Sequence, residues 1–175
     1  MKKNVLLVLS LFLVINCFAQ EKKDAKKSTE SETSVYYLIR HAEKDRSDKE
    51  NRNPDLTKQG NNRAAYWASV FEKVPFDAIY STDYNRTKQT AQPTADAKKL
   101  PIKIYDPRNI QLDRFLKETQ GKTVLIVGHS NTTPHFVNRL LQREDYESIA
   151  DDNNGNLYIV TISGNSKTAQ LLTVN

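Results

Sequence analysis

The chain has 175 residues, of which 38% are hydrophobic and 27% charged, and its 26 basic and 21 acidic residues give a formal net charge of +5. This near balance, without a basic motif interleaved with aromatic residues, argues against nucleic acid as a partner. A single cysteine excludes an internal disulfide. The length beyond the N-terminal segments suits one domain around one core and leaves no room for a second.

The N-terminus predicts an exported protein. Residues 1–19 combine a short basic start, an apolar run over 5–15 and small residues before position 20, which is typical of a signal peptide. The apolar run is shorter than the about 20 residues of a membrane span, so no permanent span is expected. Lipid attachment at Cys17 is the alternative. Residues 20–34 are polar and predict a flexible linker, and 35–175 form the predicted domain in the periplasm or outside the cell.

Strand and helix patterns alternate along this domain, which is typical of an α/β protein. Thr57 is a candidate helix cap, and the run 123–127 is apolar enough to be a buried central strand. The expected fold is a three-layer sandwich, in which helices flank a mostly parallel mixed sheet. Strands are predicted at 35–39, 76–80, 102–105 and 123–127, helices at 57–72, 84–99, 109–120 and 131–141, and a closing hairpin at 157–162 and 169–174.

Two histidines follow two of these strands directly. Arg40 and His41 come after the first strand, and His129 comes after the strand at 123–127. Because ligands of open α/β sheets bind outside the carboxyl ends of the strands, we expect the two imidazoles to meet there. Arg86 lies in the first turns of the second predicted helix, where guanidinium and backbone N–H groups favour phosphate. The pattern therefore predicts a phosphate-binding active site.

These segments resemble the histidine phosphatase superfamily, also called phosphoglycerate mutase-like proteins. Residues 40–43 read Arg-His-Ala-Glu and resemble its Arg-His-Gly-Glu signature, with Ala42 in place of glycine; residues 53–60, 81–93 and 128–131 resemble its other segments in order. Within this superfamily, the chain resembles the short protein-phosphohistidine phosphatases. The resemblance implies a phosphoglycerate mutase-like fold and a phosphatase acting on a phosphorylated small molecule or phosphoprotein.

The resemblance also implies the roles of individual residues. His41 would accept the phosphoryl group, while Arg40, Arg86 and a protonated His129 would bind it. Two guanidinium groups and an imidazolium can neutralise the phosphoryl charge, so no metal and no other cofactor is expected.

A proton donor for the leaving group is harder to identify. The family commonly has a glutamate in the region that corresponds to 104–113, and this chain has none there. Asp106, Asp113 and Glu43 are the candidates that remain. Leaving groups such as phosphohistidine need less help from an acid than alkyl phosphates do.

Two other functions stay open at this point. Ser130 lies in Gly-His-Ser-Asn-Thr, one glycine short of the nucleophile elbow of serine α/β-hydrolases. Alternatively, a protein with this pocket and no acid could bind phosphorylated ligands without turning them over. His135 is expected to have a packing or surface role. Nothing in the sequence defines an oligomeric state.

Overall fold

The computed structural model describes residues 32–174. The predicted signal peptide, 1–19, and all but the last three residues of the predicted linker lie outside the described residues. Within 32–174, no helix has the length and apolar character needed to cross a membrane. The strands are β1 (Thr33–Arg40), β2 (Ala78–Ser81), β3 (Ile102–Ile104), β4 (Thr123–Gly128), β5 (Asn156–Ser163) and β6 (Ser166–Thr173), and the helices are α1 (Lys58–Val70), α2 (Asn85–Lys98), α3 (Leu112–Glu118) and α4 (Thr132–Leu141).

One mixed sheet holds all six strands in the order β3-β2-β4-β1-β5-β6. The pairs β2–β3, β2–β4 and β1–β4 are parallel, whereas β5 runs antiparallel to both β1 and β6. In the register of β1 and β4, Arg40 pairs with Gly128, and Ser81 of β2 pairs with Val127. Three neighbouring strands therefore end side by side, and the chain leaves each of them at the same edge of the sheet.

The central strands are buried on both faces. One face of the sheet packs through Leu38 and Ile126 against Phe115 of α3 and Phe136 of α4. The other face packs against Trp67 and Phe71 beside α1 and the alanines of α2. Two apolar cores on opposite faces of one sheet make a three-layer sandwich, so the predicted fold class is confirmed.

Most element boundaries lie within three residues of the prediction. The strand β1 begins at Thr33 because Ser34 is buried, donating a hydrogen bond to the Thr119 carbonyl at 3.2 Å and accepting one from the Gly121 amide at 2.9 Å. The third helix is shorter than predicted and begins at Leu112. Its predicted first residues instead form a turn closed by Asp106.

The start of α1 requires a glycine. The Thr57 side chain caps the helix by accepting the Gly60 amide at 3.0 Å, as predicted. Gly60 itself is buried against the backbone that follows His41, and a Cβ at this position would lie 2.2 Å from the Glu43 carbonyl oxygen. A side chain at position 60 would therefore push α1 away from the segment that follows β1.

We expect Gly60→Ala to lower the free energy of unfolding by about 2–3 kcal/mol, since overpacking against backbone costs that order of energy. Urea denaturation followed by circular dichroism measures the effect. Asn62→Ala, an exposed change in the same helix, is the matched control and should stay within about 0.5 kcal/mol of wild type. An equal effect of the two substitutions would contradict this account of Gly60.

Candidate active site

His41 follows β1 directly, and a hydrogen bond fixes the role of one nitrogen of its ring. Its backbone amide donates to the Gly128 carbonyl at 2.9 Å, and its side chain is 4% exposed. The Nδ1 atom lies 2.8 Å from the Ala42 carbonyl oxygen. A carbonyl can only accept, so Nδ1 carries the hydrogen and the lone pair of the neutral ring is on Nε2. This is the tautomer that a nucleophile acting through Nε2 requires. Ala42 adopts this conformation without a positive φ, so the missing family glycine is tolerated.

His129 follows β4 directly, and its hydrogen is on the other ring nitrogen, Nε2. Its Nε2 atom lies 2.9 Å from Thr82 Oγ1, whose hydroxyl donates to Thr87 Oγ1 at 3.0 Å. Nε2 is then the donor, and the lone pair on Nδ1 accepts from Arg86 Nη2 at 3.4 Å. The His41 and His129 ring centroids are 5.5 Å apart, with 70° between the planes. The structure therefore brings the two predicted histidines together.

Both imidazoles are neutral at pH 7. Burial lowers the pKa of His41 to about 3; the hydrogen bond to Ala42 opposes this shift, and His129, Arg86 and Arg40 add to it. Burial, followed by Arg86, Arg40 and Lys44, lowers the pKa of His129 to about 4. The expectation of a protonated His129 does not hold for the protein by itself, because the surrounding charges are cationic. A phosphoryl dianion would bring the opposite charge and favour protonation.

Arg86 is held beside His129 by an aromatic ring. Its guanidinium carbon lies 4.4 Å from the centroid of Tyr84, and the Tyr84 and His129 rings are nearly perpendicular, with centroids 5.0 Å apart. The Arg86 Nη1 atom donates to the Arg52 carbonyl at 3.5 Å. Its Nε is buried with no hydrogen-bond partner among the described residues. Its Nε–H is therefore unpaired among the described residues, and the residue lines the cavity around the histidines.

Arg40 makes more hydrogen bonds within the protein than its predicted role as a phosphate ligand suggests. Its Nη1 atom donates to the carbonyls of Ala150, Asp151 and Asn153 at 2.8–2.9 Å, and Nη2 pairs with the Asp151 carboxylate at 2.9 Å. Its Nε is buried and unpartnered among residues 32–174. Arg40 therefore anchors the loop before β5 to the site, and most of its guanidinium hydrogens are engaged within the protein.

The three candidate acids lie in different surroundings. Asp106 lines the pocket, but it accepts from the Arg108 amide at 2.9 Å and from Asn109 Nδ2 at 2.8 Å, and these hydrogen bonds lower its pKa. Asp113 is exposed in the first turn of α3, away from the pocket lining. Glu43 pairs with Arg63 at 2.7 Å, in a smaller adjoining cavity, and its Oε2 is buried without a partner among the described residues.

These side chains surround a cavity of about 690 Å³ at the carboxyl edge of the sheet. Cations predominate near the histidines, and burial together with Arg86 and Arg46 lowers the pKa of Lys44. Several residues that line the cavity had no predicted role in the site. Tyr84 and Thr82 lay inside a matched segment, whereas Asp151 has no sequence signal, because it contacts Arg40 from 111 positions away. The cavity is lined by Arg40, His41, Lys44, Thr82, Asp83, Tyr84, Arg86, Ile104, Tyr105, Asp106, Pro107, Arg108, His129, Ser130, Asn131, Thr132 and Asp151.

The geometry around Ser130 does not match a serine hydrolase. Both nitrogens of His129 are occupied by Thr82 and Arg86, and the fixed nitrogen of His41 is bound to a carbonyl. His135 is exposed on α4. Among residues 32–174, no histidine is hydrogen-bonded to the Ser130 hydroxyl. In the same part of the chain, no three His, Cys, Asp or Glu side chains are grouped to hold a metal ion.

The fold and the site together define an α/β protein with an anion pocket built around two neutral histidines. Residues 36–107 match the family model of the histidine phosphatase superfamily, branch 1. The predicted resemblance to this superfamily is therefore confirmed over these residues. A search of curated proteins finds no significant match.

Solved structures of the same fold agree with this family. The protein histidine phosphatase SixA complexed with tungstate is 16% identical, with 79% of this chain and 96% of that chain covered and a TM-score of 0.62. A mycobacterial glucosyl-3-phosphoglycerate phosphatase is 14% identical, with 82% and 99% covered and a TM-score of 0.64. Phosphoglycerate mutase from Bacillus anthracis is 12% identical, with 83% and 95% covered and a TM-score of 0.65. At these identities the likeness shows the fold, and the superfamily match supports a phosphatase.

The lowered histidine pKa values predict a loss of stability in mild acid. The unfolded chain binds protons at the two imidazoles near pH 6.5, whereas the folded protein does so only near pH 3–4. Stability therefore falls as the pH drops from about 6.5 towards 4, by roughly 2 kcal/mol or more. Denaturation at pH 7, 5.5 and 4.5 measures this slope, and His41→Asn should flatten it. A slope that is the same in both proteins would show that the His41 imidazole does not contribute to it.

Proposed function

We propose that this protein is an exported phosphatase that transfers the phosphoryl group of its substrate to Nε2 of His41 and then to water. The observation that carries the proposal is the fixed tautomer of His41. Its Nδ1–H is bound to the Ala42 carbonyl at 2.8 Å, and its lowered pKa keeps the Nε2 lone pair unprotonated at neutral and mildly acidic pH. A nucleophile needs both properties.

In the first step the Nε2 lone pair forms a bond to phosphorus, and the bond between phosphorus and the leaving oxygen breaks with its electron pair going to that oxygen. Nδ1 keeps its proton, so the Ala42 carbonyl stabilises the positive charge that develops on the ring. The guanidinium groups of Arg40 and Arg86 line the cavity and would donate to the phosphoryl oxygens. His129 would be protonated as the dianion binds.

In the second step the oxygen of a water molecule attacks phosphorus, and the bond from phosphorus to Nε2 breaks with its electrons returning to the ring. The water gives up one proton to solvent, and inorganic phosphate leaves. We propose that the reaction needs no metal, because the cations Arg40, Arg86 and Lys44 already surround the site where charge has to be neutralised.

The proposal is tested by trapping the intermediate. The mature protein is mixed with p-nitrophenyl phosphate in the presence of EDTA, quenched in alkali after a few milliseconds and analysed by peptide mass spectrometry. We expect one phosphoryl group on His41, stable to alkali and lost in acid. His135, which is exposed on α4, is the internal control and should carry none.

Two results would contradict the proposal. Turnover without any phosphorylated His41 would indicate direct attack by water. Tight binding of phosphate without turnover of any ester would favour the non-catalytic binding protein instead.

A further inference from the structure

We propose that the preferred substrates are aryl phosphates, whose leaving group is a phenol. This inference rests on the proposed phosphatase function and adds to it the class of substrate. It follows from two observations on the same cavity: the hydrogen bonds and ion pairs of its carboxylates and an apolar wall.

The carboxylates that line the cavity are engaged by cations or hydrogen-bond donors. Asp151 accepts from Arg40 at 2.9 Å and Arg46 at 2.8 Å, and these hydrogen bonds lower its pKa. Asp106 accepts from the Arg108 amide and from Asn109 Nδ2, which lowers its pKa as well. Both groups are therefore poor proton donors to a leaving oxygen. Asp83 pairs with Lys88 at 2.7 Å.

Asp151 and Asp106 are thus poorly suited to protonate the leaving oxygen, which favours a leaving group that needs little help from a carboxylic acid. A phenol has a pKa of about 10, whereas an aliphatic alcohol is closer to water, at about 15.7. General acid catalysis supplies about 10²–10⁴-fold for a poor leaving group, and a phenolate needs much less of it. The state of the carboxylates thus favours aryl over alkyl phosphates.

One wall of the cavity is apolar and exposed. Ile104 ends the edge strand β3 in register with Ser81, lines the same cavity as His41 and Thr82, and is 52% exposed. Pro107 follows on the same wall, and Tyr84 closes it against His129. A cavity of about 690 Å³ leaves room for a ring beyond the phosphoryl group. A ring placed there would cover Ile104 and Pro107 and remove their apolar surface from water.

Four monophosphate esters separate the contribution of the leaving group from that of the ring. Phenyl phosphate has both the ring and the good leaving group, benzyl phosphate has the ring with an alkyl leaving group, cyclohexyl phosphate has similar size with an alkyl leaving group, and glycerol phosphate has neither feature. We expect kcat/KM for phenyl phosphate to exceed that for cyclohexyl phosphate by about 100-fold. We expect KM for the phenyl and benzyl esters to be about 10-fold below that for glycerol phosphate.

The variant Ile104→Thr keeps a β-branched residue in β3 and replaces apolar surface by a hydroxyl. It should lower the preference for phenyl over glycerol phosphate, as the ratio of their kcat/KM values, by about 5-fold, with Ile104→Val in between. Leu171→Thr is the matched control, because Leu171 is 44% exposed on the edge strand β6 and does not line the cavity. It should leave the ratio unchanged.

The outcomes distinguish this inference from the proposed function. If wild type hydrolyses the esters through His41 but prefers 3-phosphoglycerate or glycerol phosphate to phenyl phosphate, the aryl preference is overturned while the phosphatase stands. If wild type hydrolyses none of them, the phosphatase proposal fails, and calorimetric titration of His41→Ala with phenyl and glycerol phosphate still tests recognition. Equal affinity for the two ligands would then overturn the aryl preference as well.

Discussion

Replacing His41 by alanine is expected to reduce kcat/KM for p-nitrophenyl phosphate by about 10⁴-fold or more. The side chain would supply the attacking atom, and loss of a nucleophile typically removes nearly all of the catalysis that depends on it. The surrounding cations should survive the change, because Arg40 is held by the loop at 150–153 and Arg86 by Tyr84. The variant should therefore still bind inorganic phosphate. Steady-state kinetics with EDTA present and calorimetric titration with phosphate measure the two properties.

His135→Ala is the control for this experiment. It removes an exposed imidazole from α4 and should leave both kcat and KM within twofold of wild type. Retention of more than about 1% of wild-type kcat by His41→Ala, with the fold intact by circular dichroism, would remove His41 from the nucleophilic step.

The position of the two histidines could be predicted because it follows from sheet geometry. In parallel neighbours the carboxyl ends coincide, and the pairing of Arg40 with Gly128 places the next residue of each strand, His41 and His129, at the same edge. Arg86 could be placed by the same logic, since β2 ends beside β4 and α2 begins four residues later. Short-range patterns were sufficient here because each residue lies within a few positions of a strand end.

The contacts of Arg40 could not be predicted in this way. They come from the loop before β5, and the partner atoms are mostly carbonyl oxygens, which every residue has and no motif marks. The prediction that His129 is protonated was also wrong for the protein by itself. Burial and the nearby charges of Arg86, Arg40 and Lys44 lower its pKa, and both depend on how the chain folds. Local sequence gives the residue types at a site, whereas the electrostatic balance depends on tertiary contacts.

The identity of the proton donor could not be predicted from the sequence either. Asp106 and Glu43 were candidates by type and position. Asp106 accepts from the Arg108 amide, which lowers its pKa, and Glu43 pairs with Arg63 in the adjoining cavity. Asp113 lies away from the cavity. Which carboxyl could give up a proton depends on hydrogen-bond partners within a few ångströms, and spacing along the chain does not encode them.

Arg86→Gln is expected to lower kcat by about 10²–10³-fold, the usual cost of removing one donor from a site where charge develops on phosphoryl oxygens. Arg86→Lys should recover only part of this loss, because an ammonium group keeps the charge but has neither the planar fork nor the stacking on Tyr84. Steady-state kinetics on p-nitrophenyl phosphate measures both variants. A fall in kcat, rather than a rise in KM alone, would show that the guanidinium acts in the transition state.

Arg114→Gln is the matched control, since Arg114 is an exposed arginine whose pairing with Glu118 at 2.8 Å lies on α3, outside the cavity. Surface pairs of this kind contribute little, so its kinetics should equal those of wild type. If Arg86→Gln also stayed within threefold of wild type, the phosphoryl charge would have to be neutralised elsewhere. Arg40 is largely engaged by the loop at 150–153, and Lys44, which lines the same cavity, would then be the cation to test next.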